Sequence, residues 1–285
     1  MSEIIPYLFK TNAIRFCKEN NPFWLTSGKI SPYFVNTHFV YGSEKEATEL
    51  LTYIDSLLTD RTNLPKQVFD KTLKQYNENA IYKNVIDTMI THIKNNIDIS
   101  EIDYISGGER RDWYFSNIIA YLLQKPHITI FKDIECLYSP YNFSSVEKIE
   151  NLSGKKVLHL TDLVTVASSF IRSWIPAVRN LGGELTWTCY VVDRKQGGTE
   201  LLEQENVVTL PLACVDESLF NKAFELNIVS EDQLTMLKNF FENPDNTMRQ
   251  FLIDHPEFIQ NALNADEKTK KRAQLLIDND LYSLN

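Results

Sequence analysis

Metal-type spacing is missing from this chain. Its four cysteines, Cys17, Cys136, Cys189 and Cys214, form no CxxC pair, which excludes the common structural zinc and iron–sulfur frameworks. The five histidines, His38, His92, His127, His159 and His255, are scattered without ligand spacing, and no metal residues are assigned. No uninterrupted apolar run nears the roughly 18 residues of a membrane span. A basic segment leading into an apolar signal stretch is also lacking at the N-terminus, so a reducing cytoplasm is the expected location. Positive charge is in short supply, with 29 Lys and Arg against 38 Asp and Glu and a net charge of −9. That balance argues against a general nucleic-acid or anionic-membrane binder, so an anion must be held by local donors. Nothing repeats, and no low-complexity segment stands out.

What is present reads as a globular α/β chain. At 285 residues, 43% hydrophobic and 24% charged, it suffices for one large core with an appended module. Residues 3–18 carry apolar positions at helical spacing and predict an opening helix. The stretch 23–36 contains two aromatic and β-branched runs joined by Ser27-Gly28-Lys29, a hairpin-like pattern. It suits an ordinary edge hairpin or a hood over a ligand. Ser43 caps an expected helix over 43–59, and one or two more helices are expected between 66 and 96. A strand at 102–105 should end in a turn at Ser106-Gly107-Gly108, followed by Glu109, Arg110 and Arg111 and a helix from Trp113. Those three charged residues suit a solvated turn equally well. His127 to Phe131 reads as a strand, and 132–156 as a long segment of little periodicity.

The organising stretch is 157–169. Val157-Leu158-His159-Leu160 has the composition of a strand buried on both faces, where His159 suits a satisfied core residue. Thr161-Asp162-Leu163-Val164-Thr165-Val166-Ala167-Ser168-Ser169 then turns small and hydroxylic, and a helix follows. A loop at the carboxyl end of such a strand favours an anion through its backbone N–H groups, with phosphate the expected guest. Ser168 and Ser169 serve equally as phosphate donors or as the helix cap. Strands at 185–192 and 207–210 complete an alternation that implies a mostly parallel sheet. From Asp216 onward only helices are expected, with Ser230 and Gln233 forming a capping box.

Three stretches together resemble the type I phosphoribosyltransferases, and their orotate phosphoribosyltransferase branch in particular. They are 25–36 (Leu-Thr-Ser-Gly-Lys-Ile-Ser-Pro-Tyr-Phe-Val-Asn), 157–169, and 192–198 with its Asp193-Arg194 pair. The resemblance implies an α/β fold with a mostly parallel central sheet flanked by helices, an N-terminal hood and a helical C-terminal extension. The expected division is 1–215, with a helical insertion at about 61–100, and 216–285. The implied activity transfers ribose 5-phosphate from phosphoribosyl pyrophosphate (PRPP) to a pyrimidine base, orotate becoming orotidine 5′-monophosphate. Mg²⁺ would be bound mainly through PRPP, and the protein would be a homodimer. Carried over residue by residue, the catalytic groups are Asp162 and Lys132. The phosphate and PRPP site is Asp162, Thr165, Val166, Ala167, Ser168, Ser169, Lys132 and Arg110, and the base contacts are Phe34, Thr165 and Arg194. The chain departs from the pattern at Thr161, where an acid is usual, at Val166 and Ala167, where the loop has a small or hydroxylic residue and glycine, and near Glu135 and Leu137, where basic and histidine residues are usual. Those departures support an alternative expectation: a catalytically impaired homologue that binds a nucleotide or base.

Overall fold

The computed structural model describes residues 3–18 and 21–284 and divides into two compact units. The first comprises Met1–Ala13 and Thr37–Val215, the second Ile14–Asn36 and Asp216–Asn285.

The first unit is built on a seven-stranded sheet in the order Val208–Cys214, Glu184–Asp193, Lys156–Val164, Tyr104–Gly108, His127–Ile130, Cys136–Ser139, Glu147–Lys148. The first five are parallel and the last two antiparallel. Lys156–Val164 lies between two partners, and its Val157, Leu158 and Leu160 are fully buried. Covering both faces of a parallel sheet produces that mostly apolar run. The expected 3.6-residue periodicities appear as helices Glu44–Leu57, Leu64–Glu78, Ala80–Asn96 and Trp113–Leu122. Ser43 Oγ accepts from Glu46 N at 3.2 Å, the expected cap. The insertion is two helices that bury Val68, Phe69, Tyr82, Val85, Ile86 and Met89, so it is part of this core.

Three local expectations give way. The opening helix spans only Ile5–Lys10, because Asn12 takes φ +59° and the chain leaves as strand Ile14–Phe16. Gly107 and Gly108 do not form a turn; they are the last two residues of a strand. Gly108 is there for closeness, since an added Cβ would fall inside the indole of Trp174. Residues 132–156 include strand Cys136–Ser139 after a tight turn closed by Phe131 N donating to Glu135 O at 2.9 Å.

The second unit joins the 14–36 segment to the C-terminal helices Glu217–Glu225, Glu231–Glu242, Pro244–Asp254, Glu257–Leu263 and Glu267–Asp278. Strand Ile14–Phe16 pairs with Tyr33–Val35, and Phe23–Trp24 with Ile30–Ser31. Pairs this short are not stable alone. They are held by Trp24 stacked on Phe258 at 5.2 Å, Tyr33 edge-on to Phe240 at 5.6 Å, and Tyr282 OH accepting from Ile30 N at 3.0 Å. The two compact units part between Val215 and Asp216, and residues 14–36, expected within 1–215, cluster with the helical extension.

Candidate active site

Two junctions at the carboxyl ends of adjacent strands, 109–112 after Tyr104–Gly108 and 165–169 after Lys156–Val164, enclose a cavity of about 290 Å³. All eight residues expected to bind phosphate or PRPP line it: Arg110, Lys132, Asp162, Thr165, Val166, Ala167, Ser168 and Ser169. This is where open α/β sheets place ligands.

The loop owes its shape to its neighbours. Ala167 takes φ +52°, a left-handed conformation that side chains rarely adopt. Beneath it, Gly198 N donates to Thr165 O at 3.1 Å. A Cβ on Gly198 would stand 2.6 Å from Thr165 O and 3.0 Å from Ala167 N, so glycine at 198 is what lets the supporting backbone reach the loop. Asp193 holds that support: Oδ1 accepts from Lys195 N and Oδ2 from Thr199 Oγ1, both at 2.7 Å. Ser169 precedes a short π-helical turn, Phe170–Trp174, and makes no side-chain capping bond. Val166 is about half exposed at the loop tip.

Acidic groups line the floor. Asp112 Oδ1 accepts from Thr161 Oγ1 at 2.6 Å, its Oδ2 accepts from Gly108 N at 3.0 Å, and His159 Nε2 stands 3.2 Å from the same oxygen. The other ring nitrogen of His159 meets Ser106 Oγ at 2.9 Å, so His159 is a satisfied core histidine. Asp162 is different: its Oδ2 is buried without a hydrogen-bond partner. Burial pushes its carboxyl up to about 7, with Arg111 opposing and Asp112 adding to the rise.

The cations are unequally committed. Arg110 is ion-paired with Asp55. Lys132 Nζ lies 3.4 Å from Glu109 Oε1. Lys132 itself sits in the 131–135 turn, which Arg61 pins by pairing with Asp133 at 2.7 Å and with Glu135 while lying 4.4 Å over the Phe131 ring. Arg111 is exposed, lines the cavity, and has no ion-pair partner among the described residues. Its charge nonetheless reaches inward, since it opposes the rise of Asp162 and adds to the lowering of His38.

Of the residues expected to contact the base, Thr165 lines this cavity. Arg194 does not line it, although its backbone N donates to Val164 O at 2.9 Å. Phe34 belongs to the second unit, where it lines a different pocket with Arg15, Phe23, Trp24 and Phe258. Asp112 and Trp174 are lining residues that sequence reasoning missed. The capping-like position of Asp112, immediately before an apolar helix, was the available signal for the former.

Among the described residues, no group of three or more His, Cys, Asp or Glu is placed to hold a metal ion. The carboxylates of Asp112 and Asp162 in the cavity lining are oxygen donors of the kind that suits Mg²⁺. Among the described residues, no helix is long and apolar enough to cross a membrane.

No family profile matches the chain. An orotate phosphoribosyltransferase from Methanocaldococcus jannaschii is 24% identical over 221 residues, covering 76% of this chain and 95% of that protein. Among solved structures, orotate phosphoribosyltransferase from Francisella tularensis superposes with a TM-score of 0.54 at 17% identity, covering 84% of this chain and 96% of that one. UMP synthase from Leishmania donovani gives 0.55 at 18% identity; it covers 84% of this chain, which spans only 42% of that longer one. The chain thus shares its fold with these phosphoribosyltransferase structures, and its sequence is similar to an orotate phosphoribosyltransferase over 76% of its length.

Proposed function

We propose that this protein transfers the ribose 5-phosphate unit of PRPP to a pyrimidine base, with orotate as acceptor and orotidine 5′-monophosphate as product. The observation that carries this reading is the cavity itself, in which a backbone loop, a buried unsatisfied carboxylate and an uncommitted guanidinium converge. Loop N–H groups hold the 5′-phosphate, Asp162 accepts from ribose hydroxyls, and Arg111 faces the diphosphate. Thr165 faces the base from the same cavity, whereas Arg194, whose guanidinium fork would suit the carboxylate of orotate, lies outside its lining. A bond forms from the base nitrogen to the anomeric carbon while the bond to diphosphate breaks, its electron pair leaving with the diphosphate and the proton of that nitrogen released to solvent. Mg²⁺ brought in with PRPP supplies charge neutralisation for that leaving group. A homodimer and a cytoplasmic location accompany this reading through the resemblance.

A second reading, binding of a nucleotide or base without turnover, is favoured by specific observations. Lys132 is paired with Glu109, its turn is clamped by Arg61, and Thr161 stands where an acid is expected. Assay of orotate consumption with PRPP and Mg²⁺, beside calorimetric titration with PRPP and with orotidine 5′-monophosphate, separates the two. Product formation supports transfer. Tight binding with no turnover at high protein concentration establishes the second reading, and absence of all binding removes both.

A further inference from the structure

Buried polar atoms without hydrogen-bond partners include His38 Nδ1 and Asp162 Oδ2, and these two lie 3.9 Å apart. Their side chains are only 4% and 9% exposed. Leaving a buried donor or acceptor unmet costs about 1–3 kcal/mol each, so two such atoms facing one another form a contact that is prepared and not yet closed. His38 sits on the turn Thr37–Tyr41, its ring set by Phe39 at 4.8 Å and edge-on to Tyr114 at 5.9 Å. Burial first, and the charge of Arg111 second, hold this imidazole neutral. The pair is therefore no salt bridge. A neutral imidazole has one N–H to give, and a buried carboxylate has an oxygen to receive it.

Resting on the reading that this cavity takes a ribose phosphate, we infer that His38 is a positioning residue whose Nδ1–H closes onto Asp162 Oδ2 when a sugar hydroxyl engages the carboxylate. Closure needs a shift of about 1 Å to reach hydrogen-bond distance. Asp162 is two residues from the end of strand Lys156–Val164, where the chain enters the ligand loop, so the group that moves is the one the ligand touches. His38 is remote in sequence from both junctions and carries no motif. Its assignment comes from the geometry of two unsatisfied atoms.

The test is calorimetric titration of the full chain with inorganic phosphate and with ribose 5-phosphate. Wild-type protein, His38→Phe and His38→Gln are compared. The wild type binds both ligands. His38→Phe keeps its affinity for inorganic phosphate and loses about tenfold for ribose 5-phosphate, the worth of one hydrogen bond to a charged group. His38→Gln, which retains a side-chain N–H, recovers most of that loss. In wild-type protein with isotope-labelled histidine, the His38 Nδ1 resonance moves on addition of ribose 5-phosphate and stays put with phosphate alone. A resonance that ribose 5-phosphate leaves unmoved overturns the inference whether or not the variants fold, as does a folded His38→Phe within about twofold of wild-type affinity. If the wild type binds neither ligand, the proposed function fails first and this inference falls with it.

Discussion

Thr161 Oγ1 donates to Asp112 Oδ1 at 2.6 Å. The resemblance leads one to expect an acid at 161; in this chain the hydroxyl comes from 161 and the carboxylate from 112, on the neighbouring junction. Restoring an acid by Thr161→Asp would set two carboxylates against each other in a buried place, where both cannot ionise cheaply. The expected result is a loss of about 2–4 kcal/mol in urea denaturation at neutral pH. Combining Thr161→Asp with Asp112→Thr exchanges the partners and should recover most of it. A single variant as stable as the wild type would show that the two positions are not coupled.

The loop makes a second prediction. Gly198→Ala drives a Cβ to 2.6 Å from Thr165 O, and the 165–169 loop has to yield. Affinity for inorganic phosphate should fall at least about tenfold, read by calorimetry, with stability down by about 1–3 kcal/mol. Ala167→Gly works in the opposite sense, relieving the φ of +52°. It should stabilise by about 0.5–1 kcal/mol if the loop keeps its conformation.

Much of this was open to reading in the residues. The cavity loop is contiguous, so 165–169 and Asp162 announce themselves together, and the sheet follows from alternation of apolar strands with helices. Two things were hidden for a physical reason. Ala13, Ile14 and Cys17 fit the helical face of the preceding residues, and nothing local records that Asn12 turns the chain out of the helix. Asp112 and His38 matter only because distant segments meet: 49 residues separate Asp112 from its Thr161 partner. Likewise the hood stretch reads as a cover for a ligand, whereas its clustering with residues after Asp216 depends on stacking such as Trp24 on Phe258, which no periodicity encodes.

The raised carboxyl of Asp162 carries a pH signature. Its folded value of about 7 exceeds the ordinary 3.8, so the folded state holds this proton more tightly than the unfolded chain does. Stability from this group is therefore full at low pH and declines as pH rises from about 4 to about 7, flat above. His38 and His127, each lowered to about 3 by burial first, with Arg111 or His159 adding to the shift, act oppositely, withdrawing stability as pH falls below about 6.5. Comparing Asp162→Asn with the wild type cancels the histidines. The variant should gain stability over the wild type on going from pH 5 to pH 8, by something on the order of a few kcal/mol, while losing affinity for ribose 5-phosphate. A stability difference independent of pH would show that Asp162 titrates normally.

Arg110 and Arg111 are adjacent in sequence and unequal in structure. The Arg110 guanidinium is ion-paired with Asp55, so a phosphate must compete with a carboxylate for it. Arg111 lines the same cavity with no such commitment among the described residues. Arg111→Ala should therefore weaken a diphosphate ligand by about 1.5–3 kcal/mol, roughly tenfold to more than a hundredfold, and raise the Asp162 carboxyl further by removing the charge that opposes its rise. Arg110→Ala should cost less affinity, because it deletes a cation already neutralised, and should show its main effect in thermal stability through the orphaned Asp55. Calorimetry with inorganic diphosphate reads the first contrast and thermal denaturation the second. Equal losses of affinity in the two variants would mean that the ligand draws Arg110 away from Asp55, and that the pair opens on binding.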